Sequence, residues 1–319
     1  MKRIIKSKKL IIMSVLIIAM FLGMIWQLVM IGIERKTYTA PGQFVDVETY
    51  QAHYYLQGDG DPVFIFITGS GTPCAYTDFY AIQNKLSAIG QTITFDHPGS
   101  GWSTETESER SIENIVKELS IIIDKVALNR SVVLISHSLG SLEAIGYAQK
   151  YPERVEGIIF LDSGSPEFYS TDSELTAKIV NRSAAFTRVF GINRLLGEVG
   201  VFLPMYGENI RNTQLPDNKK DTDKAMYYQY AGNASTLNSI ELINENAEKV
   251  LKERKLGDIP ILVLSSDSGS KWNEVQKQLA SWSEQSKQIT IEDSNHYLYW
   301  SNYDGISDYI DEFINYLYH

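Results

Sequence analysis

The stretch VVLISHSLGSLEAIGYAQKYPERV, Val132–Val155, joins a β-branched apolar run to a run with helical spacing. A short continuous run of Val, Leu and Ile is typical of a buried strand, whereas the apolar positions after Gly140 recur at helical intervals. Three serines, Ser136, Ser138 and Ser141, lie at the junction. The sequence therefore predicts a strand that turns sharply into a helix, with a serine at the turn.

Ser138 is the serine that we predict to be a nucleophile. A nucleophile on such a turn needs small residues two positions to either side, because the backbone passes close to itself, and Ser136 and Gly140 are both small. Parallel sheets place their sites at the carboxyl ends of strands, where Ser138 lies. Ser141 falls on the first turn of the helix, where a polar side chain is common. His137 is expected to be structural, since adjacent side chains on so sharp a turn point apart.

Outward from this stretch, predicted strands and helices alternate along the chain. Two alternating strands come first, within the segment 44–57. The further strands are predicted at Pro62–Thr68, Thr92–Phe95, Ser131–Ile135, Val155–Leu161, Ile259–Leu264 and Gln288–Glu292, and the helices at Tyr76–Ile89, Ser111–Ala127, Leu139–Lys150 and Gly305–Tyr318. This alternation indicates βαβ units on a mostly parallel central sheet flanked by helices.

The segment 164–257 breaks the alternation, because it is helical in tendency and contains no convincing buried strand. We predict that it is a helical cap inserted between two parts of one α/β core, 44–163 and 258–319. Aromatic residues in the cap, among them Phe168, Tyr169 and Tyr228, suggest a partly apolar pocket for a small-molecule or lipid-like substrate.

The N-terminal region predicts a membrane anchor. Residues 10–33 form a stretch of 24 residues without a charge, and as a helix it would be long enough to cross a hydrocarbon core of about 30 Å. The preceding segment, 1–9, has five positive side chains and no negative ones, which favours a cytoplasmic N-terminus. We therefore expect a single-pass protein of the cell membrane, with a short linker at 34–43 and an extracytoplasmic catalytic domain. A cleaved signal peptide is the alternative, disfavoured because the apolar run is longer than the usual ~7–15 residues and no small-x-small cleavage site follows it closely.

Charge and composition exclude several classes of function. The net charge is −10, and without the five basic side chains of the N-terminus it is −15, which argues against a nucleic-acid partner. The single cysteine, Cys74, excludes an intramolecular disulfide and a cysteine-rich zinc site. The sequence also lacks an H-x-x-x-H motif and a dinucleotide fingerprint, so we predict neither a metal nor another cofactor.

Four motifs, in order, resemble the α/β-hydrolase family. SHSLG, with the helix that follows it and YPERV, is similar to that family's nucleophile elbow, with Ser136 in place of the first glycine of G-x-S-x-G. FITGSGTP resembles the oxyanion loop, with Thr68 where histidine is common, and FDHPGSGWS resembles the Asp-x-x-Gly-x-Gly-x-Ser turn. The similarity runs from about Gly42 to the C-terminus and implies an α/β-hydrolase fold.

The resemblance also implies a catalytic triad. A serine hydroxyl needs a base, and His296, after the final strand, is where the family carries it. The family order of serine, acid and histidine implies Asp267 as the acid, with Asp162 as the alternative because some members place it there. The N–H groups of Leu139 and Ser70 are expected to form the oxyanion hole.

The predicted function is a serine hydrolase that cleaves an acyl or lipid-like ester through an acyl-enzyme. Two alternatives stay open: a peptidase or amidase of the proline aminopeptidase-like type, and a non-catalytic ligand-binding homologue. An epoxide hydrolase or haloalkane dehalogenase is disfavoured, because those enzymes use an aspartate where Ser138 stands.

Overall fold

A computed structural model describes residues 2–200, 211 and 214–318. Its centre is an eight-stranded sheet. The strands are β1 (Gln43–Val47), β2 (Tyr50–Gln57), β3 (Val63–Ile67), β4 (Gln91–Phe95), β5 (Val132–His137), β6 (Val155–Leu161), β7 (Ile261–Ser266) and β8 (Ser286–Ile291). They lie in the order β1-β2-β4-β3-β5-β6-β7-β8, with β1, β2 and β4 paired antiparallel and all later pairs parallel. The prediction of an α/β fold with a mostly parallel sheet is confirmed.

Both faces of the sheet are covered, which explains the uninterrupted apolar runs of its central strands. Successive residues of a strand point to opposite faces. On β3, Val63, Ile65 and Ile67 pack into the core on one side, whereas Phe64 and Phe66 pack into the core on the other. A strand buried in this way is apolar throughout and does not alternate between apolar and polar residues.

Helices form a layer on each face of the sheet. Outside the cap they are α1 (Lys2–Thr37), α2 (Ala75–Asp78), α3 (Tyr80–Leu86), α4 (Ile112–Val126), α5 (Gly140–Lys150), α12 (Ser270–Ala280), α13 (Leu298–Ser301) and α14 (Tyr303–Tyr318). Helices α4 and α5 bury apolar side chains in one core, and α3 and α14 bury theirs in the other. Helices α12 and α13 are not among the predicted elements.

The helix predicted over Tyr76–Ile89 is interrupted at Phe79, where α2 ends and α3 begins. The backbone carbonyl of Asp78 accepts a hydrogen bond from the indole nitrogen of Trp300, at 2.6 Å. Its carboxylate is buried and pairs with Arg211, at 2.7 Å. These long-range contacts hold the end of α2 in place, and helical periodicity alone cannot reveal them.

The cap segment, 164–257, is helical between β6 and β7. Its helices are α6 (Pro166–Thr171), α7 (Leu175–Val189), α8 (Ile192–Glu198), α9 (Asp217–Tyr230), α10 (Ala234–Glu241) and α11 (Ile243–Lys252). No strand occurs in the portions of this segment that the structure describes.

Helix α1 contains the predicted membrane span and extends beyond it. Its portion Lys8–Thr37 is long and apolar enough to cross a membrane, judged by length and composition. The predicted linker, 34–43, begins too early, because its first four residues continue the helix as far as Thr37. The reason is tertiary: Glu34 is buried and paired with Arg194 of the cap, so this turn is fixed by packing.

Candidate active site

Ser138 lies on the sharp turn between β5 and α5, as predicted. Its φ angle is +52°, a conformation that is uncommon for a residue other than glycine. A Cβ on Gly140 would lie 2.9 Å from the Thr68 carbonyl oxygen, so a larger residue there would clash with the backbone. Ser136 is fully buried, as a small residue at the elbow must be. Ser141 is also buried, and its hydroxyl donates to the Gly164 carbonyl at 2.7 Å, which gives it a structural role.

His296 follows β8 and is paired with Asp162. The His296 Nδ1 atom lies 2.7 Å from the Asp162 Oδ2 atom. Asp162 follows β6, has a φ angle of +48°, and its side chain is 1% exposed. Its other oxygen accepts hydrogen bonds from the Ser266 backbone N–H, at 2.6 Å, and from the Trp272 indole, at 2.7 Å. Three donors therefore surround this buried carboxylate and hold it towards His296.

Asp267 does not meet His296. It is exposed and has no hydrogen-bond or ion-pair partner among the residues that the structure describes. The physical reason lies one residue earlier, where Ser266 ends β7 and donates its N–H to Asp162. The chain leaves the sheet at that point, so the next side chain points to solvent. The structure thus brings the alternative acid, Asp162, to the histidine instead of Asp267.

Ser138 and His296 are not hydrogen-bonded to each other in the described part of the chain. The Ser138 side chain lies beside the hydroxyl of Tyr169, which accepts from the Gly164 N–H at 3.3 Å. Burial raises the pKa of Tyr169, so it stays a neutral phenol. Hydrogen bonds between catalytic groups are often long or misaligned in the absence of substrate, so this geometry does not exclude a base at His296.

His137 is buried and links the elbow to the loop that carries His296. Its Nε2 atom donates to the His296 carbonyl oxygen at 3.0 Å, and the two imidazole rings lie 4.6 Å apart. Burial, with a smaller contribution from His296, holds the pKa of His137 well below its usual range. The expectation that His137 is structural agrees with this environment. Sequence reasoning did not identify its contact with the base loop.

The loop after β3 passes directly against the elbow. A Cβ on Gly69 would lie 2.9 Å from both the His137 Nδ1 atom and the Ser138 Cβ atom, so only glycine allows this approach. The backbone N–H groups of Ser70 and Leu139 donate to no protein acceptor among the described residues. The arrangement provides two free N–H donors on segments that meet at the elbow.

A polar cleft extends from these N–H groups to the cap. It is lined by the segment 68–72, by His97, Glu143 and Arg110 of the core, and by Asn233 and Thr236 of the cap. Its side chains are already paired: His97 hydrogen-bonds Glu143 at 2.9 Å and Thr68 at 2.8 Å.

Only some of the cap aromatics lie near the site. Tyr169 contacts Ser138, and Phe168 packs against Trp272, whose ring centroid is 6.2 Å from that of His296. By contrast, Tyr228 is buried within the cap. The apolar wall of the site is therefore smaller than the aromatic content of the cap suggests.

Three further residues at the site have roles that sequence reasoning did not identify. Trp272 and Ser266 both fix Asp162, but their contacts cross from the loop after β7 to the end of β6. Tyr169 reaches Ser138 from the cap. No group of three or more His, Cys, Asp or Glu side chains is placed to hold a metal ion in the described ranges.

Comparison with known proteins places these features in one family. The sequence model of the family described as alpha/beta hydrolase fold matches residues 62–303 of this chain. The uncharacterized protein YbdG of Bacillus subtilis is 27% identical over 232 residues, covering 71% of this chain and 69% of that protein. A proline iminopeptidase of Saccharolobus solfataricus is 26% identical over 295 residues, covering 85% and 90%. Two other curated relatives match over only 36% and 42% of their own lengths.

A solved structure agrees on the fold. The thermophilic esterase of Thermogutta terrifontis superposes with a TM-score of 0.64 at 18% identity, covering 87% of this chain and all of that one. At this identity the likeness concerns the fold alone. The family model, in contrast, matches about three quarters of the sequence and includes both Ser138 and His296. The chain therefore belongs to the α/β-hydrolase fold family, and its relatives support an enzyme of the hydrolase type.

Proposed function

We propose that this chain is a serine hydrolase that cleaves an ester, with Ser138 as nucleophile, His296 as base and Asp162 as the acid that orients it. The observation that carries the proposal is the 2.7 Å hydrogen bond between His296 and the buried, threefold hydrogen-bonded Asp162, in a loop that His137 joins to the elbow where Ser138 is held at positive φ. A histidine oriented in this way is the base that activates a weak nucleophile such as a serine hydroxyl.

The proton transfers follow from the tautomer of His296. Its Nδ1–H donates to Asp162, so Nε2 keeps a lone pair that can accept the Ser138 proton. For this, the Ser138 hydroxyl turns towards the imidazole. The serine oxygen then bonds to the ester carbonyl carbon, the alcohol leaves with the proton from His296, and water cleaves the resulting acyl-enzyme by the same steps in reverse.

The negative charge of the tetrahedral intermediate needs two hydrogen-bond donors. We assign this role to the backbone N–H groups of Ser70 and Leu139, because both are free in the described structure and lie on segments that meet at Ser138. The N-terminus of α5 adds its partial positive charge at the same place. Donors of this kind contribute about 10²–10³ in turnover each in other acyl-transfer enzymes.

A peptidase or amidase is the second candidate. The similarity to a proline iminopeptidase over most of both chains favours it, and the same triad would serve an amide. A matched pair of substrates, a p-nitrophenyl ester and the p-nitroanilide of the same acyl group, separates the two. Because the ester is intrinsically the more reactive of the two, each rate is compared with that of the uncatalysed reaction. Turnover of the ester without turnover of the anilide supports the esterase, and a larger rate enhancement for the anilide supports the amidase.

A fluorophosphonate probe tests the nucleophile directly. The purified full chain is labelled, the adduct is located by mass spectrometry, and Ser138→Ala and His296→Ala serve as paired variants. Labelling at Ser138 that disappears in both supports the proposal. Labelling at another residue, or no labelling of a folded chain, contradicts it, and the second result favours the non-catalytic ligand-binding alternative.

We further propose that α1 anchors the enzyme in the cell membrane, with the N-terminus cytoplasmic. The support is the apolar length of α1 and the basic side chains before it. Carbonate-resistant membrane association, together with digestion of the catalytic part by protease added outside spheroplasts, is the expected result. A catalytic part that is protected in intact spheroplasts and digested after lysis would reverse the orientation.

A further inference from the structure

We infer that the cap rests in the outer half of the bilayer and that exposed apolar side chains on α7 and α8 contact lipid acyl chains. The inference rests on the proposed membrane anchor and extends it from one helix to a surface of the catalytic part. Three observations lead to it: the packing of α1 on the cap, the length of α1 that remains free, and the exposed apolar side chains beside the junction.

The second half of α1 is packed against the cap. Gly23 touches the turn after α7, where a Cβ would lie 2.3 Å from the Phe190 carbonyl oxygen. One turn later, Gln27 is buried, and its amide donates to the Tyr228 carbonyl at 2.7 Å. The partly buried Gly23 and the buried Gln27 and Glu34 recur at intervals of four and seven, which places them on one helical face.

Arg194 of α8 fastens this contact. Its guanidinium donates to the Gln27 amide oxygen at 2.9 Å and pairs with both carboxylate oxygens of Glu34. It also lies over the Tyr228 ring, 4.7 Å from the centroid. Arg194, Gln27 and Glu34 are all buried and paired, the condition under which polar side chains are tolerated at membrane depth.

The free part of α1 is too short to cross a bilayer alone. The residues before the junction, Leu10–Leu22, number 13. As a helix they span about 20 Å, whereas a hydrocarbon core is about 30 Å thick. The hydrocarbon must therefore extend roughly 10 Å past Gly23, to about Val29, and the turn at Phe190 that touches Gly23 lies at the same depth.

The outer face of α1 beyond the junction agrees with this depth. Ile25, Leu28, Val29 and Ile33 point away from the cap and are all exposed in the isolated chain. Four apolar side chains on one face of a helix are stable there only when something apolar covers them. Lipid is the occupant that already surrounds Leu10–Leu22, and the two surfaces are continuous.

The cap itself presents apolar side chains at this depth. Phe186 and Val189 on α7 are 56% and 46% exposed, and Leu195 and Val199, on and just after α8, are 55% and 65% exposed. They flank the turn that touches Gly23 on both sides along the chain. A surface in water would carry polar residues here, whereas one in the outer leaflet requires apolar ones.

Exposed apolar side chains also occur on the same side of α7 nearer to the beginning of the helix. Leu175 and Ile179 are exposed at spacings that place them on the same side as Phe186. The charged residue on this side, Arg182, pairs with Glu241. A long arginine side chain at the edge of an apolar face can reach the headgroup layer.

Depth-dependent quenching in nanodiscs tests the inference on the full chain. In a Cys74→Ala background, single cysteines replace Val189, Leu195, Leu16 and Leu128, and each carries an environment-sensitive fluorophore. Leu16 reports on the anchor, and Leu128 is the matched control, since it is 74% exposed on the core. Fluorophosphonate labelling of every variant shows that the site is intact.

The expected result is loss of fluorescence at positions 16, 189 and 195 when the lipids carry doxyl groups, and no loss at position 128. Quenching at 16 without quenching at 189 and 195 overturns the inference and leaves the anchor standing. No quenching anywhere overturns the anchor as well. Quenching at all four positions indicates adsorption of the whole chain and overturns the placement of the cap. Self-quenching between labels at position 189 without quenching by lipid also overturns it, because it indicates that a second copy of the chain covers this face.

Discussion

Replacing Asp162 by asparagine should abolish turnover while leaving the protein folded. The asparagine oxygen can still accept hydrogen bonds from Ser266 and Trp272, which now lie 2.6 and 2.7 Å from Oδ1. Its NH₂ group then faces His296 and donates to Nδ1. This forces the proton of the imidazole onto Nε2, so that the histidine can no longer accept the proton of Ser138.

The expected loss is about 10⁴-fold in kcat, the size seen when a triad aspartate becomes asparagine in a serine protease. At 1.36 kcal/mol for each tenfold change, this is about 5.4 kcal/mol of transition-state stabilisation. The free energy of unfolding should change much less, because two of the three hydrogen bonds survive. Asp162→Ala differs in this respect: it leaves two buried donors unsatisfied, at a cost of about 1–3 kcal/mol each.

The assay is hydrolysis of a p-nitrophenyl ester by the full chain in nanodiscs, with thermal unfolding recorded on the same samples. Asp267→Asn is the matched control, since that side chain is exposed and has no described partner. It should change kcat less than twofold. Full turnover in Asp162→Asn together with a large loss in Asp267→Asn would refute the reasoning and assign the acid to the loop after β7.

Three further predictions concern residues around the site and the anchor. In the native protein, burial lowers the pKa of His137, so below about pH 6.5 the unfolded state binds a proton at this residue that the folded state does not, and the free energy of unfolding falls with pH. His137→Asn should remove this contribution, so that the free energy of unfolding falls less steeply on acidification. Urea unfolding at several pH values measures the difference. Ser70→Ala should leave kcat unchanged, since the proposed donor is its backbone N–H, and a loss above tenfold would implicate the hydroxyl. Glu34→Ala should weaken the contact between α1 and the cap by about 3–5 kcal/mol, because it leaves the Arg194 guanidinium buried without its carboxylate partner. Limited proteolysis at 38–42 would report this as faster cleavage, and unchanged cleavage argues against a firm junction.

Local pattern was sufficient for the fold class and for the position of Ser138. The run Val132–His137 is buried on both sides, so its composition alone marks a central strand. The elbow could be predicted because steric crowding demands small residues at fixed offsets from the serine. These constraints act between residues that are close together in the chain, so they can be recognised from the sequence alone.

The partner of His296 could not be settled in this way. Asp162 and Asp267 both follow strands of the sheet, and both lie in loops at the same edge. What distinguishes them is that Ser266 and Trp272 donate to one and leave the other in solvent. Those contacts connect β6 with the chain after β7 and depend on strand register, which the spacing of residues along the sequence does not specify.

Helix α1 shows the same division. The sequence by itself determined that 10–33 is apolar and preceded by basic residues, because membrane crossing depends on composition and length. Only the tertiary structure decided that α1 continues to Thr37 and buries Gln27 and Glu34 against the cap. Their partner, Arg194, lies 160 residues beyond Glu34 in the chain. Polar side chains become buried and paired only where two surfaces pack together, so the sequence of neither segment alone predicts this contact.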